Sequence, residues 1–136
     1  MKIGYAVGSI MTKDIVSVEA DAPLARAIKT MVEKNIGSVV VIRDDSMVGI
    51  VTERDILKKL ALNHDSMDLK VGDAMSSPLL TIDSHAALGE AADLMAETNV
   101  RRLLVTENGR IRGIITERDI MRATLDVFKK LSDAWV

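Results

Sequence analysis

The sequence predicts an α+β chain built from two copies of one βαββα unit, and three observations carry that prediction. The pentapeptide Thr-Glu-Arg-Asp-Ile occurs at Thr52–Ile56 and again at Thr116–Ile120, 64 positions apart. Sliding the chain by 64 residues aligns Val7–Leu60 with Val71–Thr124 without a gap, and 17 of the 54 pairs are identical. Within each copy, short β-branched runs alternate with a stretch of helical apolar spacing. A lone copy would bury only roughly 60% of its unfolded surface, so the two are expected to pack face to face. The expected layout is a first repeat at 7–60, a linker at 61–70, a second repeat at 71–124 and a C-terminal helical extension at 125–136.

The first repeat begins with Ile15-Val16-Ser17-Val18, a short β-prone run. Asp21-Ala22-Pro23 then reads as a helix start, a capping carboxylate ahead of a proline that a first turn tolerates. Leu24, Ala27, Ile28, Met31 and Val32 recur at helical spacing, and Asn35-Ile36-Gly37 breaks the pattern. Ser38–Ile42 is too short for a helix and β-branched enough for a buried strand. Asp44-Asp45-Ser46 turns the chain into Val48–Val51, and a helix follows to about Leu62.

The second repeat matches it with Leu79–Ile82, a helix carrying Leu88, Ala91, Ala92 and Met95, and the strand Arg102–Val105. Asn108-Gly109 is a strong two-residue hairpin signal. The first two strands of each unit, joined by a helix, should run parallel in a right-handed crossover. The last two should form an antiparallel hairpin. The final helix continues through Leu125, Phe128 and Leu131 towards Trp135, an apolar stripe suited to a core edge or a subunit contact.

Composition removes several function classes. Eighteen basic and twenty acidic residues leave a formal charge of −2, which gives no field for nucleic acid. Without cysteine there is no disulfide, thiolate chemistry or cysteine-based zinc site. Tyr5, Phe128 and Trp135 are the only aromatics, so the core is aliphatic, helped by eight methionines. Met1–Tyr5 does not read as a signal peptide, and no apolar run approaches the ~18 residues of a membrane span. A cytoplasmic protein is the expectation. His64 and His85 are paired with no plausible nucleophile or repeated acid, which argues against an enzyme.

Thr52-Glu53-Arg54-Asp55 has two readings. A threonine followed three residues later by an acid, ahead of Ile56 and Leu57, is a helix-capping pattern. A helix N-terminus with free amide donors also suits an anion, and a first-turn carboxylate can accept sugar hydroxyls. Gly49 and Gly113 read either as strand-end glycines or as places where a ligand approaches the backbone. The arginines are uneven: the second copy has Arg101-Arg102 where the first has Gly37-Ser38.

Two βαββα units, each ending in Gly-apolar-apolar-Thr-x-x-Asp-apolar, resemble a tandem pair of cystathionine-β-synthase-type (CBS) domains, a Bateman module. The resemblance runs from Val7 to Thr124. It implies a pseudo-twofold module without catalytic activity, whose clefts take AMP, ADP or ATP and in some members S-adenosylmethionine. It further implies ribose recognition by Asp55 and Asp119, with Thr52 and Thr116 near the phosphate. Arg101 and Arg102, with Arg54 and Arg118, align with basic phosphate-contacting positions. The adenine slot falls on Ile15, Val16, Ser17 and Ile36 on one side and on Leu79, Leu80, Thr81 and Val100 on the other. A homodimer that signals to an unidentified regulated protein is expected, with neither nucleic acid nor membrane as partner. The rival reading is a ligand-free dimerisation or docking module.

Overall fold

The computed structural model of the chain describes residues 5–62, 68–77 and 79–134. His64, Trp135 and the middle of the expected linker lie outside them. The described residues form α1 (Val7–Ile10), β1 (Ser17–Glu19), α2 (Leu24–Lys34), β2 (Ser38–Arg43), β3 (Ser46–Thr52) and α3 (Glu53–Leu62). The same order then repeats as α4 (Val71–Ala74), β4 (Thr81–Asp83), α5 (Leu88–Thr98), β5 (Arg102–Glu107), β6 (Arg110–Thr116) and α6 (Glu117–Ala134). The fold is α+β, with one three-stranded sheet per repeat, ordered β1-β2-β3 and β4-β5-β6. In each sheet the first pair is parallel and the second antiparallel.

The chain divides into two compact units, residues 15–79 and residues 1–14 with 80–136. Each unit therefore takes the segment leading into one copy and builds it onto the sheet of the other. The stitching is the same in both. In the 15–79 unit, Leu24 N–H donates to Leu69 O (2.7 Å), Val71 N–H to Ala22 O (2.8 Å) and Gly72 N–H to Ala20 O (2.9 Å). In the other, Leu88 N–H donates to Tyr5 O (3.2 Å), Val7 N–H to Ala86 O (2.8 Å) and Gly8 N–H to Ser84 O (2.8 Å). Val7 and Val71, the first residues of α1 and α4, are fully buried.

This stitching corrects the expected helix start. Pro23, not Asp21, occupies the N-cap of α2, with extended backbone (φ −65°, ψ 145°) and no side-chain cap. The orphan amide of Leu24 is met by the carbonyl of Leu69 instead of a carboxylate. Asp21 is exposed and lies 3.8 Å from Lys70 Nζ, a surface pair of small energetic weight. The helix end is as expected: Asn35 and Asn99 are left-handed (φ 53° and 56°) and close α2 and α5. β1 begins two residues later than expected because only Ser17–Glu19 find parallel partners, at Val40–Ile42.

Each unit has its own aliphatic core. Leu24, Ala27, Met31, Val39, Val41, Val51 and Val71 fill one. Val7, Ala91, Met95, Leu103, Val105 and Ile115 fill the other. The central residues of β2 and β5, Val39–Val41 and Leu103–Val105, are apolar and buried in unbroken runs, as in strands covered on both faces.

Candidate functional site

The repeated Thr-Glu-Arg-Asp starts α3 and α6 and makes a capping box in both. Thr52 N–H donates to Asp55 Oδ2 (2.9 Å) while Asp55 N–H donates to Thr52 Oγ1 (3.2 Å). Thr116 and Asp119 repeat the exchange at 2.9 and 3.2 Å. The amide of the first helical residue is used as well: Glu53 N–H meets Gly37 O (3.2 Å) and Glu117 N–H meets Arg101 O (2.8 Å). The capping reading of these residues therefore holds, and the helix starts offer fewer open amides than expected. What remains for a ligand is the second carboxylate oxygen, Oδ1.

The two copies differ in what becomes of that oxygen. Asp55 Oδ1 accepts the hydroxyl of Ser76 at 2.8 Å. Among the described residues no hydrogen bond reaches Asp119 Oδ1. Asp119 instead shares a cavity of about 480 Å³ with Thr12, the residue equivalent to Ser76, and with Tyr5, Ile10, Arg122 and Asp126. Ser76 and Thr12 escaped the sequence reading, although two hydroxyls at equivalent positions directly after the identical Met75 and Met11 were a signal.

Gly49 and Gly113 are not at strand ends. Each sits inside its strand, opposite Val41 and Val105 respectively, beside a register shift. A Cβ on Gly49 would lie 2.5 Å from Met75 Sδ and 2.9 Å from Ser76 O; on Gly113 it would lie 2.6 Å from Met11 Sδ and 2.8 Å from Thr12 O. The close approach that demands glycine comes from the chain's own lead-in segment, which bridges Ser76 to Ile50 and Thr12 to Ile114.

The remaining expected residues fall in both units. Ile15, Val16, Ser17, Ile36, Thr52, Arg54, Asp55 and Leu79 belong to the 15–79 unit; Leu80, Thr81, Val100, Arg101, Arg102, Thr116, Arg118 and Asp119 belong to the other. Val16 and Ile36 pack against one core, Leu80 and Val100 against the other, while Ser17 and Thr81 are exposed. Arg54 and Arg118 are exposed on their first turns. Arg102 is half-buried opposite Thr116 at the start of β5. Arg101 lies 3.9 Å from Glu117 and, with Val100, Asn99 and Ile120, lines a second cavity of about 270 Å³. Val100, Arg101 and the start of α6 are thus brought together. No group of residues able to hold a metal ion occurs among the described residues. No described helix is long and apolar enough to cross a membrane.

Two sheet-and-helix repeats, each with a last helix that opens on a capped threonine–aspartate pair, define a tandem-repeat α+β module. A family model for the CBS domain matches residues 7–62 and 71–126, and the chain belongs to that family. It is 36% identical over 123 residues to an uncharacterised 17.7 kDa protein of Acidianus ambivalens, covering 89% of this chain and 74% of the relative. An uncharacterised protein of Methanopyrus kandleri is 32% identical over 120 residues, 86% of this chain and 61% of that protein. The chain thus spans less than two thirds of that relative. Among solved structures, a CBS-domain protein of Agrobacterium tumefaciens superposes with a TM-score of 0.84 at 30% identity, covering 88% and 92% of the two chains. The protein CBSX2, solved in complex with AMP, superposes with a TM-score of 0.77 at 32% identity, covering 91% and 98%.

Proposed function

We propose that this chain is a regulatory CBS pair, not a catalyst, that binds an adenine nucleotide (AMP, ADP or ATP). S-adenosylmethionine is the other adenosyl candidate. The observation that carries the reading is Asp119: its Oδ1 is left over by the capping box, and the residue lines a cavity of about 480 Å³, large enough for part of a nucleotide. An ionised carboxylate is an acceptor-only group, so a sugar hydroxyl is its natural partner. The AMP held by CBSX2 supports adenine nucleotide as the ligand class. Arg101 and Arg102, with Arg118 and Arg54, supply guanidinium groups for phosphate. The aliphatic residues Ile15, Val16, Ile36, Leu79, Leu80 and Val100, with Ser17 and Thr81, form the adenine-contacting set. The sites are unequal, because Ser76 occupies in the first copy the oxygen that is open in the second.

A thermal-shift series with AMP, ADP, ATP and S-adenosylmethionine tests this. A ligand at 100 times its dissociation constant stabilises the fold by about 2.7 kcal/mol. Asp119→Asn keeps an acceptor for the cap but loses the charge, and should weaken binding roughly ten- to hundredfold. Asp55→Asn should weaken it less. No shift with any of the four compounds would remove the reading.

A ligand-free docking module is the second reading, favoured by the exposed apolar residues Met121, Leu125 and Phe128 on α6 and Leu57 and Leu62 on α3. The thermal-shift series separates the two, because a ligand-free module is stabilised by none of the four compounds.

A further inference from the structure

Asp119, Arg122, Asp126 and Lys130 follow one another on α6 at spacings of three and four, with Ala123 four positions after Asp119, which sets all five along one helix face. Four of them, with Tyr5, Ile10 and Thr12, bound the cavity of about 480 Å³. Its charges are not equally available. Asp126 is engaged: Lys130 Nζ lies 3.1 Å from its Oδ2, and Tyr5 donates its hydroxyl to the same oxygen at 3.3 Å. Lys130 in turn donates to the Tyr5 oxygen at 3.2 Å. Arg122, by contrast, makes no hydrogen bond or ion pair among the described residues. Asp119 Oδ1 is uncommitted as well.

One hollow therefore presents an open carboxylate oxygen and, one helical turn away, an open guanidinium, with Cβ atoms roughly 5–6 Å apart for that spacing. The matching chemistry is a molecule that carries hydroxyls and an anion on one small frame, a sugar phosphate. We propose that Arg122 adds a phosphate contact in the Asp119 cavity, beyond the four arginines named above, and sets its preference for a phosphorylated sugar over a bare one. For the identity of the whole ligand this rests on the nucleotide reading above. The first copy lacks the arrangement: Lys58 stands in place of Arg122, and Ser76 already holds Asp55 Oδ1. A guanidinium can grip a phosphate with two parallel donors, which an ammonium cannot.

The test follows the side-chain Nε–Hε resonance of Arg122 by NMR while ribose 5-phosphate, AMP and adenosine are titrated into the full chain. Ribose 5-phosphate and AMP are expected to move that resonance. Arg122→Gln is expected to weaken both by tenfold or more and to leave adenosine unchanged, while Lys58→Gln binds as the wild type does. An Arg122 resonance that stays fixed with both phosphates, or equal affinities in Arg122→Gln and wild type, overturns the proposal. So does a loss in Lys58→Gln as large as that in Arg122→Gln, which would mark a bulk charge effect. The two readings separate cleanly. If AMP fails to bind but ribose 5-phosphate moves Arg122, the nucleotide reading falls and this one stands. If AMP binds with Arg122 unmoved, the reverse holds.

Discussion

A methyl group added at Gly49 would meet Met75 Sδ at 2.5 Å and the Ser76 carbonyl at 2.9 Å. The thioether can swing away, but the carbonyl belongs to a backbone bridge with Ile50 held at 2.8 and 3.0 Å. Gly49→Ala and Gly113→Ala should therefore each cost about 1–3 kcal/mol, the usual range for overpacking, read as a lower midpoint in urea with an unchanged slope. At this scale the sequence was most informative where a residue type has one local use. Thr52, Asp55, Thr116 and Asp119 were legible as a capping box because a side chain and an amide three residues apart interact wherever the chain goes next. The glycines were not, because the atoms that crowd them come from a segment some 26 or 102 positions away. Asp21 misled for a similar reason: the amide it was expected to cap is served by Leu69, a residue brought in by tertiary structure.

Among elements, the hairpins and long helices were readable and the two shortest helices were not. α1 and α4 have four residues each, Val-Gly-Ser-Ile and Val-Gly-Asp-Ala, too few to show a period. Nor could a 64-residue repeat reveal that each lead-in segment serves the other copy's sheet, since the alignment is the same either way. The turns carry a sharper consequence. Both hairpin loops have two residues with positive φ: Asp44 and Asp45 (51° and 63°) in one, Asn108 and Gly109 (53° and 77°) in the other. Asp45 holds by constraint the conformation that Gly109 holds freely. Asp45→Gly should stabilise the chain by up to about 1 kcal/mol, seen as a higher urea midpoint, and an unchanged midpoint would refute the strain. The Tyr5–Asp126–Lys130 clasp ties the lead-in to α6, and the hydrogen bond from Lys130 holds the Asp126 carboxyl below its ordinary 3.8. A depressed carboxylate stabilises above its unfolded pKa and loses that contribution as pH falls through the folded one. In Lys130→Met, the carbon-13 shift of the Asp126 carboxyl should titrate closer to 3.8 than in the wild type.

For the whole molecule, the question is what covers the apolar residues that neither unit buries. Met121, Leu125 and Phe128 on α6 are 62%, 54% and 64% exposed, and Leu57 on α3 is 66% exposed. On α6 these residues follow i, i+4, i+7 spacing, so they form one stripe, distinct from the Asp119–Arg122–Asp126 face. A stripe of this kind on a chain with a formal charge of only −2 has little repulsion to keep copies apart. A second copy is the expected cover, and sedimentation equilibrium at tens of micromolar should report a dimer. Met121→Glu combined with Phe128→Glu should shift it to monomer. Because both side chains lie mostly outside the fold, each change should alter the stability of the single chain by no more than about 0.5 kcal/mol, so circular dichroism should stay native while the mass halves. A wild-type chain that sediments as a monomer would end the argument for self-association through α6. A double variant that remains dimeric would move the interface elsewhere. If the dimer also carries the ligand signal, saturating AMP should change the dimer dissociation constant of the wild type, and Asp119→Asn should abolish that coupling while leaving the unliganded dimer intact. Linkage demands the reciprocal effect, a concentration-dependent AMP affinity, and its absence would separate the sensing carboxylates from the assembling helices.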